Sequence, residues 1–384
     1  MRRVAIVGAG MTDFRSMLPH SSPEMIREAV KRCLDDVGSL SIRYVDGVLC
    51  ASAPDAFDGY HDKVSIANEA AGAIGKPITR VFVGGGSGVA AAVSGWYHVA
   101  SGLFDTLLVV AWEKMSPPYP HAQKLFQTIF EPVIEQPLGP NLIWIFALEM
   151  RRYMEAHNLS KELIAEVAVK NKANALDHPH AQLGARITVE DVLRSEVMVW
   201  PVNRLDISPT SDGAVAILLA SEDVARKLTD TPVWIDGVAT CLDSQYWTNR
   251  DLAFPYYVYL AAQKAYRMAG ITNPLKEVDV WEPYDPFTYK ELHHLDGLLG
   301  KPGLAPKLLK EGQLHRDGDH PASPSGGLLG VGNPIAAAGL MKVAELYWQL
   351  SERAGKRQVP NAYVGVAQAW GDLMQVGTVV VCRR

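Results

Sequence analysis

Cysteine is scarce in this sequence, and its placement argues against two common uses of that residue. The 384 residues contain four cysteines, Cys33, Cys50, Cys241 and Cys382, and no Cys-x-x-Cys pair. Zinc sites and disulfide frameworks need cysteines at characteristic spacings or in larger numbers. We therefore expect neither a metal site nor a disulfide framework, and a reducing cytoplasm fits best.

The sequence also lacks an excess of positive charge and long apolar runs. The net charge of -5 and the pI near 6.1 give no basic stripe for nucleic acid, which disfavours that class of partner and leaves only local basic clusters open. No apolar run is long enough to span a membrane. The N-terminal sequence MRRVAIVGAGMTDF is interpreted as a first β-strand and not as a signal peptide, because its apolar run is short and broken by glycine. Together with a hydrophobic content of 48%, these absences favour a soluble globular protein with a large core.

The sequence is organised around residues 80–115, which read RVFVGGGSGVAAAVSGWYHVASGLFDTLLVVAWEKM. This pattern predicts a short apolar strand, a glycine-rich turn, a helix of small residues and a second strand that ends near Glu113. Glycines at such a turn permit close backbone approaches, and they leave a helix N-terminus free to face an anion or a developing oxyanion. We therefore predict a catalytic elbow at this turn.

The order of predicted elements repeats in the two halves of the chain. In the first half a strand (VAIVGAG) precedes a helix (MIREAVKRCLDDVG) and a strand (GVLCAS); in the second half a strand (VWIDGVAT) precedes a helix (YVYLAAQKAYRMAG) and a strand (VWEPYDPF). A glycine-rich turn and a small-residue helix then follow in each half, in the second as SGGLLGVGNPIAAAGLMKVAELYWQL. This order predicts an α/β protein of two βαβ-type halves, each with a largely parallel sheet.

The segment between the halves, residues 116–205, is richer in proline, histidine and charge. Two stretches with helical spacing, NLIWIFALEMRRYMEAHN and KELIAEVAVKNKANALD, predict helices, and Ser160 is placed to cap the second. We therefore interpret 116–205 as an inserted loop domain, 1–115 with 206–230 as the N-terminal half, and 231–384 as the C-terminal half.

Several ordered blocks resemble the thiolase superfamily. They are the glycine-rich turn, GLFD and EKM after it, AEVAVKNKANALDHPHAQLGARITVEDVL, LDISPTSDGAVAILLASEDVARKL, and SGGLLGVGNP. The middle blocks are similar to sterol-carrier-protein-type thiolases and their archaeal and bacterial relatives. The resemblance implies the five-layered αβαβα thiolase fold, a homodimer, and an acyl-CoA whose pantetheine arm runs toward Gly85 and Gly327.

The residues at the family's catalytic positions differ from those of a thiolase. The resemblance places Gly85 where the nucleophilic cysteine stands, Asn333 where a Gly-His-Pro turn carries its histidine, and Ala369-Trp370-Gly371 at a late Cys-Gly position. Neither glycine nor asparagine can act as a nucleophile or as a base near neutral pH. A mechanism through an acyl-cysteine is therefore disfavoured.

Tyr284 lies in the turn YDPF, where the family places a side chain that points into the pocket. A tyrosine hydroxyl can donate to an oxyanion or, with a lowered pKa, remove a proton. The alternative is a core aromatic beside Trp281 and Phe287. The chain is similar here to thiolase-like aldolases of steroid side-chain degradation, which have a Gly-Gly-Gly turn and a Tyr-Asp-x-Phe turn. This similarity implies a retro-aldol step, which needs no acyl-enzyme.

The resemblance also implies a set of site residues. We expect four catalytic residues: Tyr284, Asn333, Gly85 and His320. The expected substrate- and CoA-binding residues are Gly86, Ser87, Tyr119, Ser325, Gly326, Gly327 and Gly371, with an aromatic pocket lining from Tyr119, Phe126, Phe130, Trp144 and Trp247. Four other residues are candidates for nucleophile or base: Cys50, Ser87, His293 and His294. Cys50 is better explained as a core residue, Ser87 as a turn or N-cap serine, and the two histidines as packing residues.

Three functions are consistent with these residues. The first is cysteine-independent carbon–carbon cleavage or formation on an acyl-CoA, of retro-aldol type. The second is acetyl-CoA acetyltransferase activity, which would need an unrecognised nucleophile. The third is a non-catalytic subunit that binds CoA esters or supports an active chain. The resemblance further implies a small zinc-ribbon and OB-fold partner protein, and no cofactor beyond the CoA thioester substrate.

Overall fold

The computed structural model describes residues 1–53, 57–116, 122–371, 373 and 375–384. Its strands are β1 (Val4–Met11), β2 (Gly47–Ala51), β3 (Ile78–Val81), β4 (Thr106–Lys114), β5 (Val197–Val199), β6 (Val202–Asn203), β7 (Asp212–Ser221), β8 (Val233–Leu242), β9 (Val280–Glu282), β10 (Val364–Gly371) and β11 (Val376–Arg383). Its helices are α1 (Ser22–Asp36), α2 (Lys63–Ala70), α3 (Ser87–Ala100), α4 (Ala122–Phe126), α5 (Leu142–His157), α6 (Lys161–Ala175), α7 (Val189–Arg194), α8 (Glu222–Leu228), α9 (Tyr256–Ala269), α10 (Pro274–Glu277), α11 (Thr288–Leu299), α12 (Leu304–Lys310), α13 (Gly327–Val331) and α14 (Ile335–Leu350).

In the described residues, nine strands form one mixed sheet in the order β3-β2-β4-β7-β1-β8-β11-β10-β9. β2 is parallel to β3 and β4, and β9 is parallel to β10, while the other neighbouring pairs are antiparallel. The prediction of largely parallel sheets is therefore wrong. β11, for example, follows β10 after a connection too short for the crossover that a parallel pair requires.

The sheet confirms the predicted doubling. One half contains strands in the order β3-β2-β4-β7-β1, and the other contains β9-β10-β11-β8. Ala322 takes the place of β3 in the second half, because Trp281 of β9 pairs with it in parallel as β2 pairs with β3. The halves meet where β1 pairs with β8, at Ala5 with Trp234. Each half therefore presents the same succession of strands to the helices that cover it.

The helices form three layers around the two halves of the sheet. α3 and α14 contact strands of both halves, whereas α1 packs on β1, β4 and β7, and α9 packs on β8 and β11. Within β4, Leu107 and Val109 belong to the apolar core around α3, while Leu108 and Val110 belong to the core around α1. This alternation is expected of a strand buried on both faces. This five-layered arrangement is the one that the family resemblance implied.

α3 and α14 approach each other closely because their contact surface is built from small residues. A Cβ at Gly88 would lie 2.1 Å from the Ala336 carbonyl oxygen and 2.2 Å from the Leu340 nitrogen, so only glycine fits there. Gly85 precedes α3 and Asn333 precedes α14. The close contact therefore brings the N-terminal ends of the two helices, and the loops that lead into them, to one place.

The segment between β4 and β7 contributes, in its described residues, α4 to α7 and the two-stranded sheet β5-β6. α5 and α6 confirm the two predicted helices, and the Ser160 hydroxyl accepts a hydrogen bond from the Leu163 N–H, which confirms the predicted cap. α6 packs against α11 and α13 of the C-terminal half. None of the helices in the described parts of the chain has the length and apolarity to cross a membrane.

Candidate active site

The loops that lead into α3 and α14 open into a cavity of about 820 Å³, a volume that includes the part open to solvent. Its walls are largely apolar, with side chains such as Phe126, Leu142 and Phe146. The polar side chains that line it are Ser208, Thr210, Tyr284, Asn333 and the indole of Trp370. Among the described lining residues, Tyr284 is the single titratable side chain, and no cysteine, histidine, lysine or carboxylate is present.

The glycine elbow lines this cavity through Gly84 and Gly85, and several of its polar groups bond to one another. The Val83 N–H donates to the Ser87 hydroxyl oxygen (2.8 Å), and that hydroxyl donates to the Gly84 carbonyl oxygen (2.7 Å). The Gly86 N–H donates to the Val83 carbonyl oxygen (3.0 Å). Ser87 therefore closes the turn, as its interpretation as a turn serine predicted. The turn also uses the Gly86 N–H, and a binding role for Gly86 stays a prediction.

Gly85 lines the cavity and faces Trp370. A Cβ at Gly85 would lie 3.0 Å from Trp370 Nε1, and 3.2 Å from both Trp370 Cδ1 and the Trp370 carbonyl oxygen. Those distances are tighter than ordinary van der Waals contact, so the indole occupies the space beside the elbow. Trp370 was not among the predicted site residues, although its position in Ala369-Trp370-Gly371 was a signal in the sequence.

Tyr284 is buried, and its hydroxyl lies 3.0 Å from both Asn333 Oδ1 and the Ile335 carbonyl oxygen. Burial raises the pKa of Tyr284 well above its ordinary value, and the charges of Glu113 and Asp285 raise it further. The hydroxyl is therefore protonated throughout the physiological range. This direction is opposite to the lowered pKa that would let Tyr284 ionise and act as a base, and the acid/base role of Tyr284 stays a prediction.

Asn333 is fixed by three hydrogen bonds. Its backbone N–H donates to the Ser211 hydroxyl (3.1 Å), its Nδ2 donates to the Ser208 hydroxyl (3.0 Å), and its Oδ1 accepts from Tyr284. A side-chain amide carries two donor hydrogens, and Ser208 uses one of them. The structure thus brings Gly85, Tyr284 and Asn333, three of the four predicted catalytic residues, to one cavity.

His320, the fourth predicted catalytic residue, does not line this cavity. It lies in the loop before the Ala322 bridge, where its N–H donates to the Gln313 carbonyl oxygen and the next residue, Pro321, accepts from the Trp281 N–H. These backbone bonds keep the loop at the edge of the sheet beside β9. The structure gives the His320 imidazole no contact with Tyr284 or Asn333, and the prediction that it acts there is not supported by the geometry.

The turn of Ser325, Gly326 and Gly327 lies against buried charges and not in the cavity. The Ser325 hydroxyl donates to Glu282 Oε2 (3.0 Å), and a Cβ at Gly327 would lie 2.0 Å from Asp285 Oδ2. Lys342 pairs with both of these carboxylates, at 2.9 and 3.1 Å. Glycine at position 327 is therefore required for the backbone to approach a fully buried ion-pair cluster. A binding role for these three residues stays a prediction.

The remaining predicted contacts divide between the cavity and its surroundings. Gly371 does not line the cavity, and a Cβ there would lie 2.5 Å from Val83 Cγ1. Tyr119 lies outside the described residues. Of the expected aromatic lining, Phe126 faces the cavity, Phe130 is buried in the core, and Trp144 and Trp247 pack edge to face at 5.9 Å.

The alternative nucleophiles and bases are buried, as their interpretation as packing residues predicted. All four cysteines are buried and free, and burial raises the pKa of the Cys50 thiol to about 12. Burial lowers the pKa of both His293 and His294 well below the ordinary value, and His294 Nδ1 donates to the Tyr284 carbonyl oxygen (2.6 Å). Within the described part of the chain, no group of three metal-ligating side chains lies together.

Comparisons with known families and sequences show which proteins this chain is similar to. The family model described as thiolase, N-terminal domain, matches residues 4–223, and the one described as thiolase C-terminal domain-like matches 239–384. The acetyl-CoA acetyltransferase of Methanothermobacter thermautotrophicus is 33% identical over 377 residues and aligns over 97% of each chain. Sterol carrier protein 2 of Homo sapiens is 29% identical, over 97% of this chain and 70% of its own.

Solved structures show the same fold. The Ltp2-ChsH2(DUF35) aldolase superposes with a TM-score of 0.85 at 23% identity, covering 98% of this chain and 97% of that chain. Human mitochondrial 3-ketoacyl-CoA thiolase superposes with a TM-score of 0.76 at 18% identity, covering 100% and 98%. At these identities the similarity concerns the arrangement of the backbone.

Proposed function

The chain belongs to the thiolase superfamily, and we propose that it cleaves or forms a carbon–carbon bond in an acyl-CoA thioester without an acyl-cysteine intermediate, with Tyr284 as the acid/base. The observation that carries this proposal is the composition of the cavity. Tyr284 is the single titratable side chain among its described lining residues. Because fold alone does not determine chemistry, the proposal depends on the groups that face the substrate.

The geometry at Gly85 supports a mechanism with no covalent intermediate. Gly85 stands at the position that the family resemblance assigns to the nucleophilic cysteine, and glycine has no side chain that could carry an acyl group. The four cysteines are buried elsewhere, so none of them can take the acyl group from this cavity. A retro-aldol reaction requires no such transfer.

Tyr284 can serve this reaction without ionising. In the retro-aldol direction the bond between the α- and β-carbons breaks, the β-hydroxyl becomes a carbonyl, and the β-hydroxyl proton must leave while the α-carbon gains one. A tyrosine hydroxyl that accepts the first proton and passes its own to the α-carbon balances both transfers. The raised pKa of Tyr284 suits this relay, since the phenol is neutral before and after the step.

The same site contains donors for the negative charge that develops on the thioester oxygen. The Gly85 N–H lies just before α3, and the second Nδ2 hydrogen of Asn333 lies just before α14. Both are at the positive ends of helices, where developing negative charge is stabilised. Here the enolate oxygen lies between the two helix N-termini, with Tyr284 on the side of the reacting carbons.

The name of one relative favours a second function. The M. thermautotrophicus relative is called an acetyl-CoA acetyltransferase, and at 33% identity its activity is a candidate for this chain. Acyl transfer of that type would require a nucleophile in the cavity. A third candidate, a non-catalytic subunit that binds CoA esters, requires only the cavity.

One pair of assays distinguishes the three functions. The purified protein is incubated with acetoacetyl-CoA and CoA, and separately with a panel of secondary and tertiary β-hydroxyacyl-CoA thioesters, and the products are separated by chromatography. We expect a carbonyl compound and a shortened acyl-CoA from the second incubation, and no CoA-dependent cleavage in the first. Rapid thiolysis would establish acyl transfer instead. Binding of acyl-CoA by calorimetry with no product in either assay would leave the non-catalytic subunit.

We extend the proposal to the assembly. β3 is an edge strand of the sheet, and the exposed Phe82 follows it directly, which suits a homodimer contact. The Ltp2-ChsH2(DUF35) aldolase includes a DUF35 component by name, and a small zinc-ribbon and OB-fold partner is our corresponding expectation for this chain. Light scattering of the pure chain tests the dimer, and co-purification from the native host tests the partner.

A further inference from the structure

The indole N–H of Trp370 is a hydrogen-bond donor with no acceptor in the described part of the chain. Trp370 lies near the end of β10 and lines the cavity. Its Nε1 has no hydrogen-bond acceptor among the described residues. Other polar atoms without a partner are completely enclosed by the protein, but Trp370 Nε1 is not one of them. The N–H is therefore accessible from the cavity.

The direction of this N–H follows from the contact with the glycine elbow. Nε1 is the atom of Trp370 nearest to where a Cβ would stand at Gly85, at 3.0 Å. The edge of the indole that carries the N–H therefore faces the Gly85 position, just before the N-terminal end of α3. The absence of a side chain at Gly85 leaves space directly in front of the N–H for a ligand atom.

The ring that carries this N–H is held from several directions. Phe146 stacks on the indole at 5.1 Å with an interplanar angle of 16°, and the Lys290 ammonium lies 4.3 Å from the ring centroid. Lys290 itself pairs with Glu149 and is fully buried. A donor fixed in this way needs no reorganisation when charge develops in front of it, which is the condition for effective oxyanion stabilisation.

We propose that the Trp370 indole N–H donates to the thioester oxygen of the substrate and stabilises its enolate. This inference rests on the proposed function, since it assigns a third donor, beside Gly85 and Asn333, to the same oxyanion. It also gives a chemical reason for the glycine at position 85, because any Cβ there would cover the donor. Trp370 is on this view a catalytic residue that contacts the substrate.

Acetoacetyl-CoA is a suitable probe, because its enolate absorbs in the near ultraviolet and the bound keto and enolate forms can be titrated against pH. A site with oxyanion donors binds the enolate preferentially and lowers the pH at which it forms. We expect the wild-type protein to show this shift. Trp370→Phe, which keeps an aromatic ring and removes the N–H, should reduce the enolate preference on the order of 10²-fold, the usual effect of losing one oxyanion donor.

Two further variants separate loss of the donor from loss of packing. Gly85→Ala leaves Trp370 in place and covers its N–H with a methyl group, so it should reduce the enolate preference as Trp370→Phe does. Trp96→Phe is the matched control, since Trp96 lies on α3, outside the cavity, and its Nε1 also has no partner among the described residues. It should retain the wild-type preference.

The outcomes distinguish this inference from the proposed function. If Gly85→Ala or a folded Trp370→Phe bound acetoacetyl-CoA with the wild-type enolate preference, Trp370 would not be a donor, while the proposed function would stand. If the wild-type protein bound acetoacetyl-CoA with no enolate preference at all, the Trp370 inference would also be refuted. If calorimetry detected no binding by the wild-type protein, both would be refuted.

Discussion

Replacing Tyr284 with phenylalanine is the most direct test of the proposed mechanism. The change removes one hydroxyl group and keeps the ring, whose centroid lies 6.0 Å from that of Trp370. The hydroxyl has two neighbours at 3.0 Å, Asn333 Oδ1 and the Ile335 carbonyl oxygen. The phenol proton can be donated to one of them at a time, so the folded protein loses one hydrogen bond.

The expected effects on stability and on activity differ in size. Losing one such hydrogen bond should lower the free energy of unfolding by about 0.5–1.5 kcal/mol. Losing a positioned acid/base should lower kcat by roughly 10²–10⁴-fold, which corresponds to about 3–5 kcal/mol of transition-state stabilisation. Acyl-CoA affinity should change little, because the walls of the cavity are largely apolar and are unaltered.

Tyr266→Phe provides the matched control for this variant. Tyr266 is also buried, and its hydroxyl donates to the Leu298 carbonyl oxygen (3.0 Å), but it lies on α9 away from the cavity. Both variants are compared by urea unfolding, by calorimetry with acyl-CoA, and by turnover of the β-hydroxyacyl-CoA identified from the panel. The two should lose similar stability, and Tyr284→Phe alone should lose turnover. Wild-type turnover in Tyr284→Phe would show that Tyr284 only packs.

Three further predictions concern other parts of the structure. Gly85→Cys should not create thiolase activity in the acetoacetyl-CoA assay, and rapid thiolysis would contradict this prediction. The Cβ of the new side chain would lie 3.0 Å from Trp370 Nε1, and Asn333 cannot deprotonate the thiol. Gly88→Ala should lower the free energy of unfolding in urea by roughly 1–3 kcal/mol or more, because its Cβ would lie 2.1 Å from the Ala336 carbonyl oxygen; an unchanged midpoint would contradict the close helix contact. Burial raises the pKa of Glu113 from 4.5 to about 8. Between these two values the folded state retains a proton that the unfolded chain has released. The stability that protonated Glu113 contributes is therefore complete below pH 4.5 and is lost as the pH rises through 8. The unfolding free energy of the wild type relative to Glu113→Gln should therefore fall by up to about 1.4 kcal/mol per pH unit in that window, and a constant difference would show that Glu113 does not titrate there.

The elements and their repeated order could be predicted from the sequence because local patterns encode them. Small residues in the turn and helix after Arg80, the cap at Ser160, and the matching order of strands and helices in the two halves all depend on neighbours along the chain. The convergence of Gly85, Tyr284 and Asn333 was expected from the family resemblance, and the structure places all three at one cavity.

Other features depended on contacts between distant parts of the chain and could not be inferred from local pattern. The direction of the strands was decided by which strands became neighbours, and the Gly86 N–H was bonded inside the turn. His320 was held at the edge of the sheet by backbone pairing.

The protonation of Tyr284 and the place of Trp370 were decided in the same way. Burial beside Glu113 and Asp285, which come from opposite halves of the chain, raises the pKa of a residue whose sequence context favours no direction. The indole N–H of Trp370 meets Gly85 only because β10 ends against the loop that starts α3. Sequence patterns specify which residues form each element, but desolvation and the direction of a donor arise when elements far apart in the chain pack together.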